Sequence, residues 1–178
     1  LFMEMLEKAV ADLKEGKTPE LAFPLQQGPE IDLRISAILP EAYIADVHTR
    51  LIMYKRIANA KNNEQLRDLQ IEMIDRFGLL PPAAKYLIQI TELKLIASRL
   101  GISKIQAAQN QGKIEFKEKA TINAGVLINL IQVHAKRYQL DGPTRLRFSL
   151  DNQSHEERLL EIKALLMKLS PDELHYGD

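Results

Sequence analysis

The chain has 178 residues, 46% of them hydrophobic, with 24 basic residues balanced by 24 acidic ones and no cysteine. That length and apolar content suffice for one core-forming domain, or one domain plus a segment of a neighbour, and the charge balance excludes a net basic field that would hold nucleic acid without sequence preference. The missing cysteines exclude a disulfide framework, a thiolate metal site and a cysteine nucleophile. No apolar run approaches the roughly 18–20 residues of a membrane span, and the N-terminus lacks the basic segment of a signal peptide, so a cytoplasmic location is expected. The chain opens at Leu1 inside a helical pattern and without an initiating Met, which reads as a piece of something larger.

Phe2, Leu6, Val10 and Leu13 recur at helical spacing and Gly16 closes the pattern, so residues 1–17 are expected to form an amphipathic helix. Gly16-Lys17-Thr18 looks like the end of a phosphate-binding loop. Ala11 stands where that motif needs its first glycine, however, and Pro19 where its helix should begin, so a nucleotide site is excluded. Residues 18–29, rich in Pro and Gln, read as a linker, and the domain proper is expected over 30–170. Ile31, Leu33 and Ile35 alternate with Asp32, Arg34 and Ser36, the period of a half-buried strand. After Pro40, a helix is marked by Ile44, Val47, Leu51, Tyr54 and Ala58, with Arg50, Arg56 and Lys61 off that stripe.

The next helix is expected from Asn63 to Phe77, with Leu66, Leu69, Met73 and Phe77 on its core stripe and Gly78 as the left-handed residue that closes it. At 100° per residue, Asp68, Glu72 and Asp75 fall within about 60° of one another and away from the stripe, forming an acidic ridge. The simpler reading is a solvated face on which Arg76 pairs with Glu72 at i,i+4. The sharper one is a docking surface: carboxylates one turn apart can accept charge-assisted bonds from a guanidinium fork.

Pro81-Pro82 starts a further helix lined by Tyr86, Ile90, Leu93, Ala97 and Leu100, widened by Leu87, Leu95 and Ile96, and ended by Gly101. The period then shortens. Residues 102–107 and the stretch around Ile114 and Phe116 predict a β-hairpin turning near Asn110-Gln111-Gly112. Asn123 can cap a helix running to His134, and Asp141-Gly142-Pro143 is a turn. Leu146, Phe148 and Leu150 then alternate with Arg145, Arg147 and Ser149 as a strand. Ser154 with Glu157 is a capping box, opening a last helix that Ser170-Pro171 stops; residues 171–178 read as a loose tail. The pattern predicts an α+β domain, several helices packed on a small, mainly antiparallel sheet of three to four strands.

No catalytic constellation emerges. His155-Glu156 lacks the second histidine one turn on that a hydrolytic zinc helix needs, and His48, His134, His155 and His175 are scattered and read as surface or boundary residues. There is no nucleophile elbow and no dinucleotide fingerprint, so no catalytic residue, cofactor, metal or small-molecule substrate is expected. A rival from another functional class is a nucleic-acid-binding module using Arg50, Arg56, Arg145 and Arg147 as a local basic patch.

Four runs carry a family resemblance. They are Leu39-Pro40-Glu41-Ala42-Tyr43-Ile44-Ala45-Asp46-Val47-His48-Thr49-Arg50-Leu51, Tyr54-Lys55-Arg56, Asp75-Arg76-Phe77-Gly78-Leu79-Leu80-Pro81, and Leu140-Asp141-Gly142-Pro143-Thr144-Arg145-Leu146. From about Glu30 to Ser170 the chain resembles the C-terminal (TRCF) domain of the bacterial transcription-repair coupling factors, and Leu1 to Gly16 looks like the helix leading there from the second motor lobe. The resemblance implies a non-enzymatic regulatory domain of an ATP-driven duplex-DNA translocase that engages stalled RNA polymerase and recruits UvrA. It further implies that this domain folds back on the N-terminal UvrB-like module of the same protein, covers its UvrA-binding surface and restrains the motor until polymerase is engaged. Aligned on Asp75-Arg76-Phe77-Gly78, Glu72 and Asp75 fall where the family's domain-closing contacts lie, while Asp68 joins them by helical geometry alone. Residues 169–178 depart from the family pattern and receive no role.

Overall fold

The computed structural model describes residues 28–151 and 154–171, so the expected first helix, nearly all of the linker and all but the first residue of the tail lie outside the described residues. Among the described residues there are two compact units, Ser36–Glu92, and Gly28–Ile35 with residues 93–151 and 154–171. Five helices and a five-stranded sheet make an α+β fold among the described residues.

The first unit is helical. Helix α1, Val47–Ala58, begins at Asp46, whose carboxylate accepts from the Thr49 amide at 2.9 Å and from the Thr49 hydroxyl at 2.6 Å. These bonds hold the Asp46 carboxyl below the usual range. Leu51, Met53, Tyr54 and Ile57 of α1 are buried, and Arg50 with them. Arg50 was expected off the apolar stripe. At 100° per residue it lies between Ile57 and Tyr54, inside the arc that faces the core. Helix α2, Asn63–Phe77, has the expected bounds: Asn62 caps it by accepting from the Gln65 amide at 2.8 Å, and Gln65 accepts from the Lys61 amide in return at 2.8 Å. Leu66, Leu69 and Met73 are buried as the stripe predicts, whereas Phe77 is half-buried. Helix α3, Pro82–Leu100, of which residues 82–92 belong to this unit and 93–100 to the second, starts with proline at its first position, where the missing amide costs no helical bond.

The second unit is built on the sheet. Its strands are β1 (Glu30–Asp32), β2 (Ile102–Ala107), β3 (Gln111–Phe116), β4 (Tyr138–Leu140) and β5 (Arg145–Ser149), in the order β1-β2-β3-β5-β4. The hairpin β2–β3 and the strand β5 stand where the alternation placed them, and β1 adds the parallel pair of an otherwise antiparallel sheet. The five strands exceed the expected three to four because β4 is three residues long and mostly exposed, too short and polar to show a period. Register aligns Ile105, Ile114 and Leu146 across the sheet, and all three are fully buried. The flanking rows, Lys104-Glu115-Arg145 and Gln106-Lys113-Arg147, take the opposite, polar face. Helices α4 (Ala124–Val133, capped by Asn123) and α5 (His155–Leu169, capped by Ser154) complete the unit, α5 burying Leu159, Ile162, Leu165, Leu166 and Leu169.

Candidate functional site

The ridge is presented by α2. Its C-terminal end is held by Tyr43, whose hydroxyl donates to the carbonyls of Gly78 at 2.8 Å and Met73 at 3.2 Å, and whose ring meets Phe77 edge-on at 5.9 Å. Gly78 closes the helix with φ of 94° and donates its amide to the Ile74 carbonyl at 2.9 Å. The positive-φ glycine ends the helix after this last bond, and the tyrosine hydroxyl adds a donor to two carbonyls at that end. The outward face, with the carboxylates on it, is therefore set by a rigid support.

The three carboxylates do share the outward side, but their states differ. Glu72 is already engaged. Arg56 of α1 reaches it with both terminal nitrogens, Nη2 donating at 2.8 Å and Nη1 making the second contact, and Arg76 adds a bond at 3.2 Å. Chiefly through the Arg56 bond, the Glu72 carboxyl is lowered to about 2. The Arg56 guanidinium is raised in turn. Asp68 and Asp75 are exposed, and neither forms an ion pair among the described residues. Asp68 faces a shallow cleft of about 390 Å³ lined also by Arg56, Asn59, Gln65 and Glu72. Asp75 lies two turns along the helix, about 10 Å away by helical rise.

The i,i+4 pair between Arg76 and Glu72 is present as the simpler reading of the sequence has it. Sequence reasoning missed Arg56 as the stronger partner, because a bond between residues 16 apart has no periodic signal. It also missed two apolar neighbours of the acids. Ile71 is 59% exposed and Ile74 37% exposed, and beyond the helix Leu79 is 85% exposed. Ile71 stands three residues after Asp68 and four before Asp75, so the acids flank an apolar strip on the same face. The helical wheel that revealed the ridge contained this strip as well.

Because the folded-state pKa of Glu72 is depressed, its pairing favours the fold above the carboxyl's unfolded pKa and loses that effect as pH falls toward about 2. Arg56→Gln is expected to return Glu72 toward the ordinary carboxylate range, read by side-chain carboxyl NMR titration; an unmoved titration contradicts the pairing.

The four arginines of the rival basic patch are not available as such. Arg50 is 3% exposed and donates Nη1 to the carbonyls of Ile44 at 2.7 Å and Ala45 at 3.1 Å. Arg56 holds Glu72. In the sheet unit, Arg145 pairs with Glu115 at 3.2 Å and Asp141 at 3.6 Å, and Arg147 with Asp141 at 4.0 Å. A phosphate chain would have to displace a carboxylate at three of these positions and unfold the chain around the fourth. Among the described residues no helix is long and apolar enough to cross a membrane, and no cluster of His, Asp and Glu could hold a metal ion.

Comparison with known proteins bears on the same stretch. Residues 33–127 match the TRCF domain family model. The chain is 43% identical over 169 residues to the transcription-repair-coupling factor of Escherichia coli (strain K12), covering 95% of this chain and 15% of that protein. It is 44% identical over 170 residues to that of Haemophilus influenzae, covering 96% of this chain and again 15% of the relative. The chain thus spans about 15% of the length of these relatives. A crystal structure of the C-terminal domain of a transcription-repair coupling factor superposes with a TM-score of 0.64 at 26% identity, covering 78% of this chain and 95% of that one. By family model, sequence and fold alike, the chain belongs to the TRCF domain family, the C-terminal domain of transcription-repair coupling factors.

Proposed function

We propose that this domain is a non-catalytic latch within a transcription-repair coupling DNA translocase. Its α2 ridge docks on a basic surface of the N-terminal UvrB-like module of the same protein, masks the surface that UvrA would use, and restrains the motor until RNA polymerase is engaged on duplex DNA. The observation that carries this reading is the outward face of α2, where the unpaired carboxylates of Asp68 and Asp75 stand one turn either side of exposed Ile71. An exposed apolar residue between acids suits a partner surface that is basic and partly apolar. Glu72 joins on different terms. Its carboxylate is half-exposed and bound to Arg56, so an arginine of the partner must share it or exchange with Arg56.

The energetics suit a releasable closure. Exposed ion pairs are worth about 0.2–1 kcal/mol each. Moving a switch from mostly closed to mostly open takes about 5.5 kcal/mol of differential binding, which polymerase and DNA can supply together. In the full-length protein, Asp68→Asn with Asp75→Asn is expected to raise UvrA binding and idle ATP hydrolysis together, by about 2–30-fold for two pairs of this size. Glu72→Gln alone should have the smaller effect because its charge is already met within the domain. Unchanged UvrA binding and unchanged hydrolysis in the double variant would remove the latch.

A further inference from the structure

A second feature lies wholly within the sheet unit, away from α2 in sequence. A cleft of about 670 Å³ opens among Arg34, Ala108, Asn110, Gln111, His155 and Arg158. That volume is within the roughly 300–1,000 Å³ of small-molecule sites. Arg158 is the unusual member. It is 4% exposed, its Nη1 donates to the Leu33 carbonyl at 2.7 Å, and its Nε is buried with no hydrogen-bond partner. Among the described residues that carbonyl is its one bonded partner, and no carboxylate meets it. Among the described residues, the ion pairs Glu161–Arg137, Glu115–Arg145, Asp141 with Arg145 and Arg147, and Glu30–Lys104 all leave Arg158 out.

A buried guanidinium with one neutral acceptor is poorly compensated, since a charge out of water needs a counter-charge or several hydrogen bonds. The cleft brings it a second cation, and no acid is among the described residues that line it. Arg34 is exposed at the cleft, on a backbone with φ of 58° that is held by its amide donating to the Asp32 carboxylate at 3.2 Å. Asn110 and Gln111 add side-chain amides, which donate as readily to anions as to neutral groups. Two guanidinium groups with amide donors form a chemistry selective for oxyanions, because planar forks match paired oxygens.

We propose that this cleft binds an oxyanion group, a phosphate or a carboxylate, between Arg158 and Arg34. The site is independent of the α2 ridge, and its test leaves the latch untouched. Inorganic phosphate and acetate are titrated separately into the 178-residue chain at constant ionic strength and followed by amide NMR. Saturable shifts confined to residues around 34, 108–111 and 155–158 are expected. Saturation by phosphate alone assigns a phosphoryl ligand, saturation by acetate alone a carboxylate, and saturation by both a site for oxyanions of either kind. Arg34→Gln, an exposed change that keeps the same backbone class, is expected to weaken the binding about tenfold, the loss of one charge-assisted bond. Arg158→Lys, if folded, should weaken it similarly by removing the fork. Shifts that fail to saturate with either anion, that spread over the surface, or that are the same in Arg34→Gln overturn the site.

Discussion

Arg50→Ala is expected to destabilise the helical unit by about 2–5 kcal/mol, from two acceptors left unbonded and a cavity left behind. The Arg50 side chain is almost wholly enclosed, and its Nη1 is shared between the Ile44 and Ala45 carbonyls, in the segment that leads into Asp46 and α1. No helix bond is available to those two carbonyls, because they precede the cap. Alanine therefore strands both while removing a large side chain from among Leu51, Tyr54 and Ile57. Arg50→Lys keeps a cation with rotatable donors and should recover part of the loss. Denaturant unfolding of the chain, with hydrogen exchange of the α1 amides, reads the effect directly. If Arg50 served phosphate instead, alanine would leave stability unchanged and weaken DNA binding.

Gly101→Ala is expected to cost about 2–5 kcal/mol, combining left-handed backbone strain with overpacking. Gly101 has φ of 77°, and a Cβ there would stand 2.8 Å from Ala120 Cα and 3.2 Å from the Lys119 carbonyl oxygen. Both obstacles are backbone, so no side chain can swing aside. The approach is fixed from both sides, since Lys117 donates its amide to the Gly101 carbonyl and Thr121 donates to Leu100, each at 2.8 Å. Gly101→Asn separates the two causes. Asparagine tolerates the left-handed region but carries the same Cβ, so a stability close to that of the alanine variant assigns most of the loss to the close approach. An unfolding free energy within about 0.5 kcal/mol of the parent protein's for either variant contradicts the geometry.

The latch and the cleft rest on different kinds of signal. Asp68, Glu72 and Asp75 could be grouped from the helical repeat because residues three, four and seven apart share a face whatever the rest of the chain does. Arg34, Asn110 and Arg158 are brought together by a strand pairing and a helix start, and no local period connects them. Arg56 and Glu72 belong to the second kind. Each could be placed on its helix, but the bond between them depends on how α1 and α2 pack.

The sequence by itself determined the bounds of α2, the hairpin β2–β3, the strand β5, the caps at Asn123 and Ser154, and the outward position of the three carboxylates. These follow from local physics: a period of 3.6 or 2, a side-chain oxygen for an orphan amide, a glycine where φ is positive. Tertiary structure alone decided that Arg56 holds Glu72 while Asp68 and Asp75 stay open, that β1 adds in parallel, and that β4 exists as an edge. Each of those outcomes depends on partners distant in sequence, whose meeting is set by packing that no single segment encodes.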